Sequence, residues 1–426
     1  YLSNDAGKYN VLSLKSGVLP SEVSISRVGT DIKVSILGID SVLINDFFSY
    51  SAVTEYAVNN SYNPVQCIKF SNGAVWSQQD IINHVILGET VTGTTGDDVL
   101  VGTIKNDDFF GLTGSDTYIV NHSGDKVTET SILTTEIDTV LSSVTYTLSA
   151  NVENLTLTGA TAINATGNEL ANTLIGNSAN NMLDGGFGVD VMMGGTCNDT
   201  YSVRDVCDQI IEQVGAGIDT VQSYLSTFTL GSQIENLRIM NAGVVNGAGN
   251  ELGNIIYAGA GNNIIDGQGG VDGVSYTYAG SGVSVNLSLT TAQATGGSGI
   301  DTLLNIENLY GSAYGDTFRG NSLGNQLYGL AGNDLIYVGS GKASDRVDGG
   351  AGVDGVSYAY AGSGVSVNLS LTTAQATGGS GSDTILNVEN LYGSAFGDTL
   401  RGSSANNQLY GLAGNDTLNG MGGNDT

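Results

Sequence analysis

A nine-residue beat, Gly-x-x-Gly-x-Asp-x-(apolar)-x, constrains this chain more than any other feature. It runs through Gly93-Thr-Thr-Gly96-Asp-Asp98-Val-Leu100, then Gly102 to Phe110, then Gly111-Leu-Thr-Gly114-Ser-Asp116-Thr-Tyr118. It returns at Gly185 to Met192, Gly194 to Tyr201, Gly329 to Ile336 and Gly411 to Leu418. Six residues of each unit suit a turn and three suit a short strand. Glycine permits positive φ and close backbone approach in the turn. The eighth residue (Leu100, Phe109, Tyr118) points inward from its strand and gives a thin core with one large side chain per unit. Two units make one coil, so equivalent turns recur every 18 residues and stack at about 4.8 Å. The expected fold is all-β: a parallel β-roll or β-helix solenoid.

Carboxylates 18 residues apart then face each other across adjacent turns. Asp98 pairs with Asp116, Asp316 with Asp334, and Asp398 with Asp416. The candidate metal ligands are the aspartates Asp98, Asp107, Asp116, Asp190, Asp199, Asp272, Asp316, Asp334, Asp345, Asp354, Asp398, Asp416 and Asp425. Many hard oxygens, without His or Cys at matching positions, select calcium over zinc. At Asn172, Asn181, Asn254, Asn263, Asn325 and Asn407 a neutral carbonyl replaces the charge. Asp190 would face Asn172, Asp199 would face Asn181, and Asp272 would face Asn254; such gaps should bind weakly or stay empty. The competing reading is a set of Asx-type turns that hold no metal.

The nonapeptide resembles the calcium-binding repeat of RTX proteins, the secreted "repeats in toxin" family. That resemblance implies a calcium-loaded β-roll, export through a type I channel with the chain unfolded, and folding on meeting calcium outside the cell. It also implies a secreted or extracellular location, with the bacterial cell surface as one possibility.

Acidity is concentrated where the beat needs it. The 426 residues carry 42 acidic against 13 basic side chains, a formal charge of −29. No Lys/Arg cluster exists to neutralise phosphates, which argues against nucleic-acid and anionic-membrane binding. No apolar run approaches the roughly 18 residues that a membrane helix needs, and no secretory signal opens the chain. Tyr1 is not an initiator and Gly420 to Thr426 stops inside a turn, so the sequence reads as a segment of a longer protein. Among the three cysteines, Cys197 and Cys207 are close enough in sequence to bridge locally. No zinc spacing is present, and incidental thiols are the simpler reading.

Residues 1–90 lack the beat. Val23 to Val28 and Ile32 to Ile36 alternate in strand fashion around Gly29-Thr-Asp31, a hairpin signal. Ser41 to Phe48 and Val65 to Phe70 read as further strands, and Trp76 leads into a candidate helix near Gln78 to Val85. Leu19-Pro-Ser-Glu-Val23 and Ile68 to Trp76 make this region similar to the haemolysin-type calcium-binding-related domain that accompanies RTX arrays. Beyond it, β-roll blocks are expected at 91–120, 167–202, 249–273, 311–355 and 393–426, the last incomplete. Strand-rich connectors fill 121–166, 203–248, 274–310 and 356–392. Asp116–Gly167 and Asp199–Gly249 share Asp-Thr-Tyr, Asp-Thr-Val, Glu-Asn-Leu and Gly-Asn-Glu-Leu. Val271–Asp334 recurs 82 residues later as Val353–Asp416 with nine differences, the mark of a rod that lengthens by copying.

Catalytic chemistry leaves little trace. There are two histidines, His84 and His122, and no His-Glu-x-x-His. Gly320-Asn-Ser322-Leu-Gly324 matches an esterase pattern, but it lies in the repeat beat and lacks the strand–turn–helix that such a site requires. Glu153, Glu235, Glu307 and Glu389 each stand in a (Val/Ile)-Glu-Asn-Leu setting, with Asp301 and Asp383 six residues before the last two. Paired carboxylates can cleave glycosides, yet four regular copies fit a glutamate that buttresses a bend by accepting backbone amides. No enzyme is expected within this segment.

The expected role is a structural or adhesive cell-surface protein (S-layer, filament or adhesin), self-associating into a lattice or filament or binding a surface glycan. The alternative is the non-catalytic repeat region of a type I-secreted exoenzyme such as a protease, lipase or polysaccharide epimerase. A cytotoxin is a remoter alternative.

Overall fold

The computed structural model describes residues 11–15, 18–20, 23–28, 31–36, 40–44, 65, 67–77, 80–81, 90–133 and 135–426. The turn at Gly29-Thr30, the Phe47-Phe48 end of one expected strand, His84 and most of the expected helix at 78–85 lie outside them. The chain divides into two compact units, Tyr1–Thr158 and Gly159–Thr426.

In the first unit, Val23–Val28 and Asp31–Ile36 pair antiparallel, from Val23 with Ile36 to Val28 with Asp31. Asp40–Ile44 extends that sheet. A second small sheet joins Val11–Ser13, Cys67–Lys69 and Val75–Ser77. Alternation sends Val23, Ile25, Ile32 and Val34 inward, where they form one core with Val65, Ile68, Phe70 and Ile81.

From residue 90 onward the beat becomes coils. Val99–Val101 pairs parallel with Thr117–Val120, setting Leu100 beside Tyr118. The connector strands Thr139–Ser142 and Asn154–Leu157 then continue the same ladder, adding Val140 and Leu155 to the column. In the second unit a single column carries Leu183, Tyr201, Val221, Leu237, Ile256, Val274, Leu309, Leu327, Val347 and Ile385, each in register with the next. All of these side chains are buried. Within each unit, connector and repeat thus share a solenoid: an insertion lengthens a turn without disturbing the apolar column.

The near-identical modules do something more in the second unit. Gly273–Ser275, Asn308–Tyr310, Gln326–Tyr328 and Arg346–Asp348 lie in one sheet. Their copies, beginning with Gly355–Ser357, Asn390–Tyr392 and Gln408–Tyr410, lie in another, beside Ser284–Asn286, Thr317–Arg319 and Leu335–Tyr337. Each module inserts an extra hairpin, Gln293–Gly296 with Gly299–Leu304 and then Gln375–Gly378 with Gly381–Leu386. Each module also opens a new sheet on one side, Ser284–Asn286 beginning the one that carries Thr317–Arg319 and Ser366–Asn368 the one that carries Thr399–Arg401. Outside the column, Tyr310 stacks on Tyr328 at 5.0 Å and Tyr392 on Tyr410 at 4.7 Å. The thiols of Cys197, Cys207 and Cys67 are free. Ser322 sits in a turn between the strands Thr317–Arg319 and Gln326–Tyr328, not at a strand–turn–helix elbow.

Because each coil buries one large side chain per strand, Leu327→Ala should cost about 2–5 kcal/mol. Leu323→Ala on the exposed turn should stay within about 0.5 kcal/mol. Urea unfolding in excess calcium reads both.

Candidate metal centre

At each turn the amide of the sixth residue points along the solenoid axis with no strand carbonyl to meet it, and a buried N–H must find an acceptor. The sixth-position carboxylate of the next coil supplies one. The Asp98 N–H donates to Asp116 Oδ1 at 2.8 Å, Asp316 to Asp334 at 2.7 Å, and Asp398 to Asp416 at 2.9 Å. The amides of Asn172, Asn181 and Asn254 donate in the same way to Asp190, Asp199 and Asp272. Asp107 donates to Asp125, Asn325 to Asp345, Asp334 to Asp354, and Asn407 to Asp425. The pairs expected from the 18-residue spacing are therefore brought together, edge to edge, as a carboxylate ladder.

The ladder also recruits residues that the spacing concealed. Asp138, Asp219, Asp301 and Asp383 take the amides of Asp116, Asp199, Asn263 and Asp345 across 22, 20, 38 and 38 residues. A signal was present: each is followed by Thr and an apolar residue, as Asp116 is by Thr117-Tyr118. Glu153, Glu235, Glu307 and Glu389 close the runs by accepting the amides of Asp138, Asp219, Asp272 and Asp354. Beyond three of these glutamates the next rung is asparagine, and its amide nitrogen donates to the glutamate's own carbonyl: Asn254 to Glu235, Asn325 to Glu307 and Asn407 to Glu389. Aspartate has no donor for that carbonyl. The asparagines therefore bridge their gap themselves.

Backbone conformation sorts the turns into two kinds. Among the described residues, eight turns hold both their second and fourth residues at positive φ, and these end at Asp116, Asp190, Asp199, Asp272, Asp334, Asp354, Asp416 and Asp425. Some of the left-handed residues are not glycine: Leu112, Cys197, Gln268, Leu330, Leu412 and Met421. Each such residue costs about 1–2 kcal/mol. At the fourth place of one turn, a Cβ on Gly332 would come within 2.3 Å of the Tyr314 carbonyl carbon. In the other turns the second residue reaches back and donates its N–H to the carboxylate: Thr94 to Asp98, Ser312 to Asp316, Ser394 to Asp398. Asp107 takes the Thr103 hydroxyl. In the left-handed turns that bond is missing. The Oδ2 atoms of Asp116, Asp190, Asp199, Asp334 and Asp354 are buried without a hydrogen-bond partner.

A buried, unpartnered carboxylate oxygen is strongly unfavourable unless a proton or a cation joins it. Burial pushes Asp190, Asp199, Asp272 and Asp334 up to about 6, and Asp138, Asp345 and Glu212 up to about 7. Strained turns and orphaned carboxylate oxygens fit a hard divalent cation.

Two expectations follow from this geometry. Asp334→Asn keeps the Oδ1 acceptor and removes an uncompensated charge, so the calcium-free fold should gain stability while its calcium dependence weakens. Asp316→Asn instead sets an NH2 against the Ser312 N–H and should cost about 1–3 kcal/mol with calcium dependence little changed. Urea melts with and without calcium separate the two. The raised carboxyls also set a pH dependence. Stability of the calcium-free fold is fully present below the unfolded carboxyl value of about 4 and is lost as pH climbs through about 6–7. Circular dichroism of the calcium-free chain should show more strand at pH 5 than at pH 7.5.

The RTX calcium-binding nonapeptide repeat family matches residues 88–119, 166–201, 248–275, 310–343, 320–356 and 392–426. Over 94 residues the chain is 37% identical to the endo-1,3-1,4-beta-glycanase ExsH of Rhizobium meliloti (strain 1021). That match spans 22% of this chain and 20% of the glycanase.

Proposed function

This chain is an RTX-repeat protein with a calcium-binding β-roll, and from that premise we propose that it is a secreted structural or adhesive surface protein whose folding is driven by extracellular calcium. The observation that carries the reading is the set of buried Oδ2 atoms left open by left-handed turns. Asp116, Asp190, Asp199, Asp272, Asp334, Asp354, Asp416 and Asp425 are the residues that would hold calcium. Asp98, Asp107, Asp316, Asp345 and Asp398 would act chiefly as rungs that hold the coils in register. Calcium, when bound, would supply the positive charge that these turns lack, and their open carboxylate oxygens would be its ligands. Without it, the carboxylates repel one another along a solenoid whose thin core offsets chain entropy poorly. Extracellular modules bind at about 10⁻⁴–10⁻³ M, so the same carboxylates keep the chain unfolded at cytosolic calcium and let it fold outside.

The structural role is supported by modules that repeat with nine changes and by outward tyrosine pairs repeated with them, Tyr310 on Tyr328 and Tyr392 on Tyr410. A second reading, the repeat region of a secreted exoenzyme, is favoured by the 94-residue similarity to a glycanase. Circular dichroism and sedimentation across a calcium titration test the proposal: strand content should rise cooperatively near millimolar calcium, followed by concentration-dependent assembly. Unchanged strand content sinks the calcium switch. Cooperative folding to a persistent monomer moves the balance to the exoenzyme reading.

A further inference from the structure

Where a nonapeptide block gives way to one of the two homologous connectors, the chain returns a glutamate to the last open aspartate. In the first unit Asp116, Glu129 and Asp138 are all buried, with one carboxylate oxygen from each lying within 4.8 Å of the others. In the second unit Asp199, Glu212 and Asp219 repeat the arrangement. Glu129 and Glu212 belong to no nonapeptide. Each is fixed by a tyrosine from the core column, since the Tyr118 hydroxyl donates to Glu129 Oε2 at 2.8 Å and that of Tyr201 donates to Glu212. A Cβ on Gly111 would sit 2.2 Å from Asp116 Oδ2, 2.6 Å from Glu129 Oε2 and 2.1 Å from the Tyr118 hydroxyl. The bare glycine thus leaves a space into which these oxygens converge.

The donors present leave one buried oxygen of each triad without a partner, although Glu129 takes the Thr130 and Ser131 amides as well as the tyrosine. Asp116 Oδ1 takes the Asp98 amide and Asp138 Oδ1 the Asp116 amide, but Asp116 Oδ2 has no partner although Asp116 is 1% exposed. Asp199 Oδ2 is orphaned in the same way in a residue equally buried. The contrast with Asp301 and Asp383 is informative. Those aspartates are also fully buried against tyrosines, yet Asp301 takes Asn263, Thr295 and Tyr276, and Asp383 takes Asp345, Thr377 and Tyr358. Neither has an orphaned oxygen. Hydroxyls satisfy Asp301 and Asp383, whereas no donor reaches the Oδ2 atoms of Asp116 and Asp199.

We propose that the two triads, Asp116–Glu129–Asp138 and Asp199–Glu212–Asp219, are cation sites of a second kind, binding a calcium-class hard divalent ion ahead of the nonapeptide turns. The inference goes beyond the repeat reading, because its distinguishing ligands lie outside the repeats. Three rigidly held carboxylates per site give more charge than a turn with one open aspartate, and charge count and rigidity set affinity. Each block is thereby clamped first at the junction with its connector.

The experiment counts calcium bound to the full chain by equilibrium dialysis and atomic emission at pH 7.5. Glu129→Gln/Glu212→Gln keeps an acceptor for each tyrosine. It should lose two ions, the two that load at about tenfold lower free calcium than the rest. An unchanged count at every calcium concentration overturns the proposal and points to a shared proton in each triad. Asp334→Asn/Asp354→Asn should lose later-loading ions and keep the early two; if it loses none, the nonapeptide reading fails independently of this one. Should the glutamate variant not fold, terbium emission excited through tyrosine decides. Tyr118→Phe/Tyr201→Phe should abolish the first-loading phase of emission, and an unaltered titration overturns the proposal.

Discussion

A carboxylate that accepts the backbone amide of the coil before it is the bond on which the rest of this architecture depends. Strand pairing holds only three residues of each unit, and the turn between carries amides with no carbonyl opposite. Asp334 takes the amide of Asp316, and its own amide goes to Asp354, whose amide goes to Glu389. Every such bond satisfies a donor and also draws an acid out of water. The fold thereby acquires register and a charge deficit in the same step.

How a turn meets that deficit differs along the chain. Where the second residue keeps an ordinary conformation, its N–H returns to the acid and the turn is self-sufficient, as at Ser394 and Asp398. Where an asparagine follows a glutamate, the side-chain amide makes the bridge, as at Asn407 and Glu389. Where the turn is left-handed at two places, five of the eight aspartates keep a buried Oδ2 with no hydrogen-bond partner in the protein. The strain at Leu112, Leu330 and Leu412 belongs to this last kind, so backbone and electrostatic cost fall on the same turns.

Much of this was legible in the sequence, because period and residue type were sufficient for it. The 18-residue spacing set Asp98 against Asp116 and Asp398 against Asp416, and the eighth-position residues formed the core column. Spacing failed where insertions lengthen a turn: Asp301 and Asp383 meet residues 38 positions away, and only the Asp-Thr-apolar triplet marks them. It also could not distinguish Asp316 from Asp334, which share the same place in the beat. The difference is a bond from Ser312 that Leu330, at φ 72, does not make. A sequence pattern names the residue; the conformation two places into the turn decides whether its oxygen is free.

The 82-residue modules lead to a further consequence. With each module, at Ser284–Asn286 and again at Ser366–Asn368, the strands on one side of the column begin a fresh sheet. Nearly identical tandem copies are prone to unequal recombination, which adds or removes whole modules. Here such an event would do more than change length: it would move the next tyrosine pair to a different sheet, as Tyr310 with Tyr328 and Tyr392 with Tyr410 lie in different ones. Copy number would then work as a dial as well as a ruler.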